Sequence, residues 1–159
     1  MTGDPASPDG RRPFADAPLS QAVFRVARLH KSIAAQLLRD AGLRPGQELV
    51  LVTLWSEGPQ RLVDLVRTLG TDAPAMTRSI ARLEKAGLVV RRRSPLDGRA
   101  VIVEATDASL PLRPKVEAAW AQLEQLTAGG ASARRQAEIL DTLTELESHL
   151  TRDLDTSED

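Results

Sequence analysis

Apolar residues recur along two long stretches of this chain at alternating steps of four and three. In the first, Leu19, Val23, Val26, His30, Ile33 and Leu37 trace one narrow seam. That period predicts an amphipathic helix, and Gly42 is placed to end it because glycine takes the left-handed C-terminal cap at little cost. In the last, Ile139, Leu143, Leu146 and Leu150 repeat the pattern behind Ser132, a side chain suited to capping a helix N-terminus. Four further helical segments are predicted between them. One follows Pro45 and breaks at Gly58 and Pro59, and the next covers residues 60–70 and closes at Gly70. The third opens at Asp72, tolerates Pro74 in its first turn and stops at Gly87, with Met76, Ile80 and Leu83 on one face and Arg78, Arg82 and Lys85 nearly opposite. The fourth runs over 107–128 with Val116, Trp120, Leu123 and Leu126 along it, Pro111 and Pro114 restricting its first turns. Trp55 and Trp120 are both expected in the core.

The period switches from helical to strand-like in only one place. Residues 88–90 read LVV and residues 100–105 read AVIVEA, and between them stands RRRSPLDGR. Two runs rich in β-branched residues around a Pro, Asp and Gly cluster predict a β-hairpin, with Gly98 supplying the positive φ of a tight turn. Arg91, Arg92 and Arg93 alternate across such a strand, so the three cannot face one row of charges.

Charge sharpens this picture where bulk composition does not. The chain has 159 residues and a formal net charge of −1, which hides an asymmetry. Residues 61–103 hold nine Lys and Arg against four Asp and Glu, and residues 132–159 hold three against eight. A basic middle cancelled by an acidic end points to one localised anion-binding face. There is no cysteine, which excludes disulfides, thiolate metal sites and thiol redox sensing. The two histidines, His30 and His149, lie far apart, and neither a metal-ligand spacing nor a phosphate-binding glycine loop occurs. No catalytic residue, cofactor or metal is therefore expected, and the expected class is not an enzyme. The longest apolar run, residues 49–55, is too short to span a bilayer, and the N-terminal residues lack an apolar signal region, so a cytoplasmic protein is expected.

A short helix, a tight turn at LGTD, a second helix with a cationic face and an arginine-bearing hairpin follow the order of a winged helix-turn-helix. In a duplex complex the second helix lies in the major groove and the hairpin reaches the adjacent minor groove or backbone. Thr77, Arg78, Ser79 and Arg82 are the candidate readers on the helix, and Arg92, Asp97 and Arg99 those on the wing. The segment AMTRSIARLEKAGLVVRRRSPLDGRAVIVEAT resembles the MarR family of bacterial transcriptional regulators over roughly 49–106. The Asp97 and Arg99 pair carries most of that resemblance. It implies that Arg99 enters the minor groove and Asp97 orients it, with Thr77 and Arg78 at recognition-helix positions; Pro74 and Ala75 depart from the small hydroxyl residues common there.

The resulting expectation is a mainly α chain divided into a disordered segment 1–17, an N-terminal dimerisation helix 18–44, a winged helix-turn-helix domain 45–106 with a two-stranded wing, C-terminal dimerisation helices 107–154 and a disordered tail 155–159. The resemblance implies a homodimeric repressor that binds a palindromic operator in double-stranded DNA and is released by a small aromatic or lipophilic effector, with His30 and Trp55 as candidate effector contacts. A winged helix that mediates protein contacts without specific DNA binding is the alternative. Salt dependence separates the two, since phosphate contacts weaken steeply as salt rises.

Overall fold

The structure, a computed structural model, describes residues 16–155. The segments expected to be disordered, 1–17 and 155–159, fall almost wholly outside that range. The chain divides into one compact unit that ends at Ala119 and a second, Trp120–Asp159.

In the first unit, α1 spans Pro18–Leu37, with proline in its first turn where an absent N–H costs nothing. A 3₁₀ turn, Leu38–Ala41, extends it to Gly42, whose φ of 68° supplies the left-handed cap the sequence predicted. Then come α2 (Gln47–Glu57), β1 (Gln60–Arg61), α3 (Leu62–Thr68), α4 (Ala73–Lys85), β2 (Val89–Arg93) and β3 (Val101–Ala105). A second 3₁₀ turn, Asp107–Leu112, leads into α5 (Arg113–Ala128). The segment predicted as one helix from 107 is therefore tighter in its first six residues, with Pro111 inside that turn and Pro114 at the start of α5. Proline lacks the donor an α-helix needs at those positions, which favours the short 3₁₀ form.

The core is built where the predicted faces converge. Val50, Leu51 and Leu54 of α2, Leu65 of α3, and Met76, Ile80 and Leu83 of α4 pack with Val89, Val103 and Val116. All three α4 residues are at most 3% exposed, so the apolar stripe read from spacing is the buried stripe. Leu62, Val66 and Trp55 pack against the edge of this cluster. The indole N–H of Trp55 donates to Ser109 Oγ at 2.9 Å, and that buried hydroxyl donates in turn to the Thr106 carbonyl at 2.7 Å.

The sheet departs from expectation in two ways. It has three antiparallel strands in the order β1-β3-β2, because Gln60 and Arg61 pair with Val103 and Ile102 along the free edge of the hairpin. Two residues are too few to show a period of two, so the sequence places them at the start of the helix predicted over 60–70. The hairpin itself is in register from Val89 opposite Ala105 to Arg93 opposite Val101, leaving a seven-residue loop, 94–100, rather than a tight two-residue turn. Gly98 accordingly is not among the left-handed glycines. The Ala100 N–H donates to the Asp97 carbonyl at 2.9 Å, and a turn of that span in a longer loop does not require a positive φ.

In the second unit, the end of α5 passes through Gly129 and Gly130, at φ 57° and 80°, into α6 (Ala133–Asp155). Ser132 caps α6 as predicted, its Oγ accepting from Arg135 N–H. Trp120, expected in the core, is 41% exposed, and Ile139, Leu140, Leu143, Leu150 and Leu154 are also exposed. Periodicity specifies a helix face but not what covers it. Among the described residues no helix is long and apolar enough to cross a membrane.

Candidate nucleic-acid interface

Local sequence fixes both ends of α4, the helix that carries most of the candidate readers. Asp72 is the N-cap, and its Oδ1 accepts from the Ala75 N–H at 2.7 Å. At the other end the Gly87 and Leu88 N–H groups donate to the Glu84 and Leu83 carbonyls at 2.9 Å each, the paired bonds of a Schellman cap. Gly87 has φ 74°, the left-handed conformation that cap demands. A further tie joins this end to the sheet: Thr106 Oγ1 donates to the Gly87 carbonyl at 2.6 Å, and Thr106 N–H donates to the Leu88 carbonyl at 3.0 Å.

On the outer face of α4, Thr77, Arg78, Arg82 and Lys85 are exposed and Ser79 is half-buried. The Thr77 hydroxyl donates to the Ala73 carbonyl at 2.8 Å. With its proton committed to the helix, it presents lone pairs outward. Arg78, Arg82 and Lys85 have no ion-pair or hydrogen-bond partner among the described residues. Glu84, the acid nearest to them in sequence, is taken by Arg91, which reaches its Oε2 with Nη2 at 2.6 Å and Nε at 2.9 Å. That bond lowers the Glu84 carboxyl below its ordinary pKa and raises the Arg91 guanidinium. Three cations on one helix face are thus left without internal compensation.

The wing sorts its arginines by strand alternation. Arg91 turns toward α4 and Glu84, whereas Arg92 lies on the other face, 3.6 Å from Glu104. Arg93 Nη1 donates to the Gly98 carbonyl at 3.0 Å and so braces the loop. Only Arg99, of the wing arginines, is without a side-chain partner among the described residues. Asp97 lies beside it but acts on its backbone: Asp97 Oδ1 accepts from the Arg99 N–H at 3.0 Å, closing an Asx turn. Its other oxygen faces Arg61 at 3.8 Å. Arg61 was not among the sequence candidates, since a residue at the start of a predicted helix gives no sign of reaching a loop 36 positions later. Lys85 was read as part of the cationic face without being singled out as a reader.

The two candidate effector residues lie apart from this surface in sequence. Trp55 borders a small cavity of about 100 Å³ with Val52, Ser56, Arg113 and Glu117. His30 is half-buried on α1 and does not line that cavity. No group of acids or histidines able to hold a metal occurs among the described residues.

A tri-helical core bearing a three-stranded wing, with a capped and cationic second helix, defines a winged helix-turn-helix protein. Residues 43–101 match the MarR family. The chain is similar to the HTH-type transcriptional regulator MgrA of Staphylococcus aureus, 36% identical over 89 residues, which are 56% of this chain and 60% of that regulator. Its fold matches a cysteine-to-serine variant of E. coli MarR complexed with operator DNA, at TM-score 0.79 and 23% identity over 86% of this chain and 99% of that one. It also matches BpsR of Bordetella bronchiseptica, whose DNA binding is regulated by 6-hydroxynicotinic acid, at TM-score 0.74 and 26% identity over 81% and 98% of the two chains.

Proposed function

We propose that this chain is a sequence-specific DNA-binding transcriptional regulator that acts as a homodimeric repressor. The observation that carries this reading is the set of uncompensated cations: Arg78, Arg82 and Lys85 on α4 and Arg99 on the wing, all exposed and all without a partner among the described residues. An exposed pair satisfies a charge internally, whereas these four await an anion. With α4 in a major groove, Arg78 reads base edges near the helix start, while Arg82 and Lys85 serve backbone phosphates. Arg99 reaches the neighbouring minor groove.

The apolar faces of the outer helices support self-association. None of the residues of α1 is buried, and Leu19, Val23, Phe24, Val26 and Leu29 are exposed along it. A second copy would cover these seams and set two α4 helices against a palindromic operator with half-sites about one helical turn apart. Regulation of BpsR by 6-hydroxynicotinic acid supports a small aromatic acid as effector. In this reading Trp55 and His30 are separate candidate effector contacts, and effector binding shifts the population away from the dimer geometry that fits both half-sites.

Enrichment of duplexes from a random-sequence pool by the purified chain, followed by footprinting and titration at several salt concentrations, tests the proposal. The expected result is a two-fold protected site with a steep salt slope, and a dimer by sedimentation at micromolar concentration. Failure to enrich any duplex at low salt would overturn it in favour of a winged helix that binds protein.

A further inference from the structure

We infer that Arg61 is a positioning residue for the wing, holding its tip through Asp97 so that Arg99 is presented at a fixed place. The inference rests on the DNA-binding reading above. The wing loop, 94–100, is held almost entirely by itself. The Ser94 N–H donates to the Ala100 carbonyl, the Ala100 N–H to the Asp97 carbonyl, the Leu96 and Asp97 N–H groups to Ser94 Oγ, and Arg93 to the Gly98 carbonyl. These bonds shape the loop but do not aim it. Among the described residues, the one hydrogen bond or ion pair from this loop to anything outside the hairpin joins Asp97 Oδ2 to Arg61 Nη2 at 3.8 Å.

Arg61 is well rooted for that task. Its backbone pairs with Ile102 in β3, and α3 begins at the next residue, so its Cα is fixed by sheet and helix together. A cleft of about 330 Å³ beside that root is lined by Arg61, Asp97 and Arg99 together with Leu62, Val63 and Val101. Asp97 divides its two oxygens between the two jobs. Oδ1 builds the turn on the Arg99 N–H, and Oδ2 ties that turn to the body of the domain.

This division makes the tether separable from the turn. Asp97→Asn keeps an oxygen for the Arg99 N–H and removes the charge that Arg61 faces. Arg61→Gln removes the other half, and Arg61→Lys restores a cation. An exposed pair of this kind contributes modestly, so Arg61→Gln is expected to weaken binding to the enriched duplex about two- to five-fold. The loss should fall on protection of the wing-facing minor groove, and Arg61→Lys should recover most of it. The double variant Arg61→Gln/Asp97→Asn should bind no more weakly than Asp97→Asn alone. Additive losses, with a salt slope reduced by about one in Arg61→Gln, would overturn the inference and make Arg61 a phosphate contact. Unchanged affinity in Arg61→Gln would overturn it as well. Backbone amide relaxation of the free chain separates this outcome from failure of the DNA reading: the Arg99 amide should lose order in Arg61→Gln whether or not any duplex is bound, and an unaltered order parameter there refutes the tether.

Discussion

Replacing Asp72 by alanine tests whether α4 depends on its own N-terminal chemistry. An α-helix leaves its first N–H groups without intrahelical acceptors, and in α4 the count is reduced twice. Pro74 contributes no N–H, and the first intrahelical bond runs from Met76 N–H to the Asp72 carbonyl at 3.0 Å. The Ala75 N–H is therefore the one inner donor that needs a side chain, and Asp72 Oδ1 meets it at 2.7 Å. Because this end is exposed, water can replace the cap, and Asp72→Ala should cost about 1 kcal/mol, within the roughly 0.5–2 kcal/mol range for lost caps. Asp72→Asn retains an accepting oxygen and should cost at most about 0.3 kcal/mol, since Asn and Asp cap about equally well. Urea unfolding followed by circular dichroism measures both, and the midpoint should fall for Asp72→Ala without a change in slope. Faster exchange of the Ala75 amide should accompany it. Equal loss in the Asn and Ala variants would refute the cap as the source and assign the effect to the negative charge at the helix N-terminus.

Four other outcomes follow from the same geometry. Ile80→Ala, at a side chain with no exposure, should destabilise the first unit by about 2–5 kcal/mol in the same unfolding assay. Arg99→Ala and Arg78→Ala should each lose about 1–3 kcal/mol of specific DNA affinity at unchanged unfolding midpoint, and Arg78→Ala should also relax sequence preference. Glu84, held below its ordinary pKa by Arg91, stabilises the fold above the usual carboxylate range, and that contribution fades as pH falls through its lowered value. Glu84→Gln should therefore flatten stability on the acid side. Glu48 has the opposite sign: burial raises its pKa, its Oε2 has no partner among the described residues, and bonds from the Gly46 and Glu48 backbone only partly offset the burial. Glu48→Gln should raise stability at neutral pH, with the gain disappearing as pH falls toward the ordinary carboxylate value and the native carboxyl becomes neutral.

The parts of this molecule legible in its sequence are those whose determinants are local. Asp72 and Gly87 bracket α4, Ser132 opens α6, and the four-three seams give helices of nearly the expected length, because capping and helical period act within a few residues. The cationic face of α4 was legible for the same reason. What the sequence concealed is set by contacts between distant residues. Gln60 and Arg61 become a strand only because β3 offers them an edge. Strand alternation already divides the run Arg91–Arg93 between two faces, but it does not show that Glu84 and Glu104 claim two of its members from seven and twelve residues away. The Asp-Gly pair signalled a turn correctly, but the seven-residue loop removed the need for a left-handed glycine.

The four cations whose side chains have no hydrogen-bond or ion-pair partner among the described residues have a consequence for how such a protein changes over generations. The side chains of Arg78, Arg82, Lys85 and Arg99 belong neither to the hydrophobic core nor to a helix cap, so replacing any of them should leave both as they are. In the proposed DNA-binding role, a population of variants can therefore alter the recognition surface one substitution at a time while the fold is kept. Residues such as Asp97 and Gly87, which are committed to a turn or a cap, lack that freedom and hold the scaffold constant while its specificity drifts.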